Sequence, residues 1–101
     1  MELVYPVLIK QNDDAFLVFV PDLEIYTEGC DLYDAIVMAR DAIGLRCTGS
    51  TEEDNYAPVA SAGEEAVMKA KQDADEVFNY SDGILTYVDL DTEAYRSVLR
   101  T

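Results

Sequence analysis

Histidine and tryptophan are absent from this chain, and only seven lysines and arginines stand against twenty-one aspartates and glutamates. Without histidine there is no Ser-His-Asp or Cys-His triad, and the commonest metal ligand is missing. The few cations are scattered along the chain, whereas a grip on nucleic-acid phosphates needs them clustered, so direct nucleic-acid binding is not expected. The two cysteines, Cys30 and Cys47, are too few for the disulfide frameworks that staple small secreted domains. No run approaches the roughly 20 apolar residues that span a bilayer. The opening Met1-Glu2-Leu3-Val4 carries an acid, with Pro6 soon after, where a signal peptide would carry positive charge. The expectation is a cytoplasmic protein with no membrane association, no metal and no cofactor.

What is present is an apolar half: 50% of the 101 residues are hydrophobic. Disordered acidic chains lack that much apolar surface, so this one folds, and its length fits a single domain over residues 1–101 with one modest core. A formal net charge of −14 favours a basic partner.

Residues 2–10 read as a strand in which Pro6 is out of place, because proline donates no ladder hydrogen bond. Lys10-Gln11-Asn12-Asp13-Asp14 reads as a polar turn and Ala15 to Val20 as a second strand, together an antiparallel hairpin. Glu24 to Glu28 gives a short third strand ended by Gly29. Asp31 is placed to cap a helix whose Leu32, Ala35, Ile36, Ala39 and Ile43 form one apolar stripe, with Gly44 either just past its end or a weak point in its last turn. Residues 47–60 read as a polar loop. Ser61-Ala62-Gly63-Glu64 has capping-box spacing and predicts a short second helix over 62–72. After a turn at Ser81-Asp82-Gly83, Ile84 to Leu90 is a strand, and Asp91 is placed to cap a final turn. The order β-β-β-α-(α)-β predicts an α+β fold, an antiparallel sheet with helices packed on one face.

The second strand is apolar on both sides: Phe16, Val18 and Val20 point one way, Leu17 and Phe19 the other. An antiparallel sheet with helices on one face normally shows polar residues on the other. Leu17 and Phe19 therefore need a cover: the second helix, a second subunit or a partner.

Catalytic constellations are missing. Asp89-Leu90-Asp91-Thr92-Glu93 begins like a calcium loop, but Ala94 stands where the glycine belongs, and a strand end followed by a helix cap explains it. A two-metal nuclease built on Glu2, Asp89 and Asp91 would need acids on neighbouring strands in one cleft, and the second strand offers none. Glu52-Glu53-Asp54 reads as a solvated charge run. Cys30 precedes a helix cap, a position that lowers a thiol pKa, yet no base accompanies it, so a half-buried structural thiol is expected.

Three ordered segments carry a resemblance: Tyr5-Pro6-Val7-Leu8-Ile9 with Phe16 to Leu23; Gly29-Cys30-Asp31-Leu32-Tyr33-Asp34-Ala35-Ile36 through Ala42; and Val88-Asp89-Leu90-Asp91 with Tyr95-Arg96. Together they resemble the HicB family of type II antitoxins. That resemblance implies a partial RNase H-like domain without enzymatic activity. It also implies a HicA-type partner, a small basic mRNA-cleaving toxin whose active surface the antitoxin covers. Relatives commonly carry Pro-Gly where Glu24-Ile25 stand here, and many continue into a DNA-binding domain beyond the segment matching Tyr95-Arg96, a domain not expected in this chain.

The expected contacts with the toxin are the acids Asp13, Asp14, Asp22 and Glu24, with Leu17 and Phe19 as the apolar part, in a homodimer or larger assembly. The rival expectation is a stand-alone binding module with no toxin.

Overall fold

A computed structural model describes residues 2–48, 57–74 and 79–99, with side chains through Tyr95. Glu52-Glu53-Asp54 lies outside the described residues, as does the side chain of Arg96. The elements are β1 (Glu2–Asn12), β2 (Ala15–Val20), a 3₁₀ turn (Pro21–Leu23), β3 (Ile25–Gly29), α1 (Leu32–Cys47), α2 (Gly63–Asp73), a second 3₁₀ turn (Tyr80–Asp82), β4 (Ile84–Asp91) and α3 (Thr92–Leu99). The four strands form one antiparallel sheet in the order β3-β2-β1-β4. The α+β antiparallel fold is the one the sequence predicts.

The hairpin closes on the pair Asn12↔Ala15, and Asp13 turns the corner with φ 56°, a left-handed conformation that aspartate tolerates. Pro6 sits inside β1 at no cost to the ladder. It pairs with Tyr87 on β4, and its missing N–H faces the β2 side, where pairing ends at Leu8↔Phe19.

At the end of β2 the 3₁₀ turn is closed by Glu24, whose N–H donates to the Pro21 carbonyl from a φ of 52°. The corner that differs in sequence from the HicB pattern thus still demands a left-handed residue, which a Cβ makes unfavourable by about 1–2 kcal/mol. Glu24→Gly is expected to raise stability by about 1 kcal/mol, read as a higher urea midpoint with an unchanged slope. A lower midpoint would show that the glutamate side chain contributes more than its backbone costs.

Helix α1 begins as predicted. Asp31 caps it by accepting the Asp34 N–H at 2.7 Å, and the Asp34 carboxylate accepts the Cys30 N–H at 2.9 Å. Ala35, Ala39 and Ile43 are buried against Tyr5, Val7, Ile9, Val18 and Val20, which forms the larger core. Leu32, at the end of the predicted stripe, is exposed instead. Gly44 is neither the end of α1 nor a defect in it: the helix runs on to Cys47, and the Tyr95 ring of α3 packs where a Cβ would lie.

The predicted placing of helices on one face holds for α1. Helix α2 lies on the opposite face, where Ala70 and the flanking Val67 and Tyr80 cover Leu8 and Phe19. The physical reason is the apolar character of both sides of β2, which needs a cover on each side. Helix α2 also lacks the predicted capping box. Ala62 occupies the N-cap without a side-chain bond, because Ser61 is engaged elsewhere. Asp91 accepts the Glu93 N–H at 3.0 Å and so caps α3, as expected.

Candidate functional site

The six residues expected to contact a partner fall into three places. Asp13 and Asp14 are exposed at the hairpin tip. They border a shallow acidic cleft of about 560 Å³ shared with Glu28, Cys30 and Asp34. Asp22 and Glu24 lie beyond the far end of β2, about 17 Å away at the rise of an extended strand. Leu17 is half-buried between them, sharing its face with Lys10 and Glu28 by register.

Phe19 is internal, only 3% exposed. Its ring stacks on Tyr26 at 4.8 Å and meets Tyr80 at 5.4 Å, beneath α2. The chain thus covers Phe19 itself, and of the two apolar side chains only Leu17 keeps part of its surface free.

Asp22 is likewise committed within the chain. Its side chain is 2% exposed, accepts the Ser61 N–H at 2.8 Å and the Ser61 hydroxyl, and pairs with Lys69 at 2.6 Å. Burial pushes its pKa up, but the hydrogen bonds from Lys69 and Ser61 outweigh that and hold the carboxyl below its ordinary value. Asp22 thereby ties the 3₁₀ turn to the start of α2. The Tyr26 hydroxyl donates to Asp73 at 2.6 Å and ties down the other end, and burial with this carboxylate pushes the phenol up to about 12. A third tie, from the Tyr5 hydroxyl to the Pro58 carbonyl at 2.5 Å, holds the segment leading into α2.

A folded-state pKa below the unfolded one gives stability that is complete above the unfolded value and lost as pH falls through the folded value. Asp22→Asn is therefore expected to cost about 1.5–3 kcal/mol at neutral pH, with the deficit closing on acidification. Urea midpoints of both proteins across the acid range check this; a gap independent of pH would show that the charge of Asp22 is not what holds α2.

Cys30 is exposed rather than half-buried, and its thiol is pushed up, not down. The thiol hydrogen bond to Asp34 and the negative charges of Asp34 and Asp31 outweigh the lowering effect of a backbone hydrogen bond at Cys30. Cys47 is buried, and burial raises its thiol too. Neither is poised as a nucleophile. Among the described residues no group of three or more His, Cys, Asp or Glu side chains is arranged to hold a metal, and no helix is long and apolar enough to cross a membrane.

Sequence reasoning did not single out the rest of the face that α2 shares. By register, Val4, Leu85 and Tyr87 lie on that face, at the β4 edge. They remain 50%, 38% and 56% exposed. Gly63 of α2 approaches two of them: an added Cβ there would come within 2.6 Å of the Tyr87 hydroxyl and 3.0 Å of the Leu85 side chain. The signal was present in Ile84-Leu85-Thr86-Tyr87-Val88, which, like β2, is apolar on both sides.

Comparison with known proteins gives the family. Residues 5–100 match the model for the HicB-like antitoxin of bacterial toxin-antitoxin systems, and the chain belongs to that family. It is 29% identical over 90 residues to an uncharacterized 14.9 kDa protein from the rep-hol intergenic region of Haemophilus phage HP1, covering 88% of this chain. The match spans 62% of that relative's length. In fold it is similar to a chain of a toxin-antitoxin complex from Streptococcus pneumoniae, with a TM-score of 0.74 and 22% identity over 94% of this chain and 73% of that one.

Proposed function

We propose that this antitoxin-family protein binds and neutralises a small basic, HicA-type mRNA-cleaving toxin by covering its active surface, and that it performs no catalysis itself. The observation that carries the reading is the family match over residues 5–100. The charge supports it, because a net −14 accelerates encounter with a cation-rich partner and disfavours acidic ones. In this reading the sheet is a partial RNase H-like framework kept for binding after its chemistry was lost, and the protein works in the cytoplasm. Of the expected contact residues, Asp13, Asp14 and Glu24 are exposed and Leu17 is half-buried, whereas Phe19 and Asp22 act indirectly by seating α2.

Charge also bears on self-association. Two copies repel at low salt, so a homodimer or larger assembly that persists there rests on apolar contact, which light scattering at low and high salt measures.

Co-expression with the product of the adjacent gene tests the central reading. The expected result is a small basic protein that co-purifies with this chain and arrests growth when expressed without it. An unrelated neighbour that neither co-purifies nor arrests growth would favour the stand-alone binding module instead.

A further inference from the structure

We propose that the open edge of β4 receives an extended strand of the basic partner, so that this chain's sheet continues into the toxin. The inference rests on the antitoxin reading and names the surface through which it would operate.

The phase of the ladder makes the edge available. The Arg40 Nε donates to the Asp89 carbonyl at 2.8 Å, so that carbonyl points away from β1. Pro6, opposite Tyr87, has no N–H to give β4, which puts Tyr87 in the same phase. The backbone groups of Ile84, Thr86 and Val88 therefore bond β1, while the N–H and C=O of Leu85 and Tyr87 face outward. Among the described residues, no hydrogen bond reaches those outward groups.

The two edges of the sheet are treated differently. At the other edge, β3 is five residues long, carries Glu28, and has its Tyr26 hydroxyl tied to Asp73. Short, charged edges are how proteins avoid unwanted pairing. At eight residues β4 is longer, and its Leu85 and Tyr87, with Val4 beside them, expose apolar surface next to the free backbone groups. A long, apolar, unprotected edge is what strand addition requires: main-chain bonds give affinity and alternate side chains give specificity.

Charge identifies the occupant. Glu2 and Asp91 are exposed on this face at one end of β4, and Glu64 and Glu65 follow Gly63 at its side. Arg40, a cation that reaches this edge, is already paired with Asp89 at 3.1 Å. A second copy would bring the same acids against one another, whereas a cation-rich strand would neutralise them.

The test compares two variants matched in charge, each raising the net charge by two: Leu85→Lys with Tyr87→Lys at the β4 edge, and Glu28→Lys at the β3 edge. The probe is the small basic protein encoded beside this chain, titrated calorimetrically, with circular dichroism as the check on folding. The β4 variant is expected to weaken binding about 100-fold and the β3 variant only a few-fold. Hydrogen exchange on the unmodified complex gives an independent reading: the Leu85 and Tyr87 amides should slow by about tenfold or more on binding.

Equal effects of the two variants, or unchanged exchange at Leu85 and Tyr87 in a complex that forms, would overturn the docking surface and leave the antitoxin reading standing. A homodimer lost in the β4 variant while partner binding persists would assign the edge to a second copy and overturn the proposal. No binding by the unmodified chain would remove the antitoxin reading, and the surface with it.

Discussion

Replacing Gly29 with alanine is expected to lower stability by about 2–3 kcal/mol, although the change adds a single methyl group. Gly29 ends β3, and only Cys30 and Asp31 separate it from α1, so the helix starts almost on top of the strand. A Cβ at Gly29 would lie 2.3 Å from the Ala35 nitrogen, 2.6 Å from its Cα and 2.7 Å from the Asp34 carbonyl carbon. These are backbone atoms, so no side chain can rotate away, and the first turn of α1 must lift off the sheet. Its buried alanines would then lose their close seating against Val18 and Val20. The backbone of Gly29 does not have positive φ, so the cost comes from crowding and not from a forbidden dihedral. Urea denaturation checks the value, and a loss below about 0.5 kcal/mol would mean that α1 shifts freely on β3.

Phe19→Ala carries the second large expectation, a loss of about 3–5 kcal/mol, the range for emptying a buried aromatic site. The ring is the centre of the smaller core, in contact with Tyr26 and Tyr80 under α2. Its removal takes away the main apolar reason for α2 to stay on that face, leaving the polar ties from Asp22 and Tyr26. Leu17→Ala, two residues earlier on the same face but half-buried, should cost clearly less. Limited proteolysis adds a spatial reading: cleavage within α2 should appear early in the Phe19 variant and late in the Leu17 variant. Equal costs for the two substitutions would mean that α2 does not seal Phe19 in solution.

These two positions also show what could be read from the chain alone. The hairpin, the Asp31 cap and the two-sided apolar character of β2 are local patterns, with periods of two or about 3.6 residues, and the structure contains all three. The need to cover Phe19 follows from the same pattern. Which segment covers it does not, because α2 is seated by small residues, Ala66 and Ala70, and by ties spanning 39 and 47 residues of chain. No window of neighbouring residues contains the pairs Asp22–Ser61 or Tyr26–Asp73.

For the same reason Asp22 looked like a surface acid. Its neighbours in sequence suggest solvent, while its partners, Ser61 and Lys69, come from the distant helix α2 and the segment before it. The β4 edge divides in the same way. Its apolar residues are visible in the sequence, but their exposure depends on strand order, which is set by long-range pairing.

RNA cleavage by the neighbouring basic protein, measured while this chain is titrated in, tests the proposed neutralisation most directly. The account predicts that cleavage falls to background as the two proteins reach stoichiometric balance, and that this chain alone leaves the RNA intact. Cleavage that continues in the presence of excess chain, or cleavage by the chain itself, would contradict it.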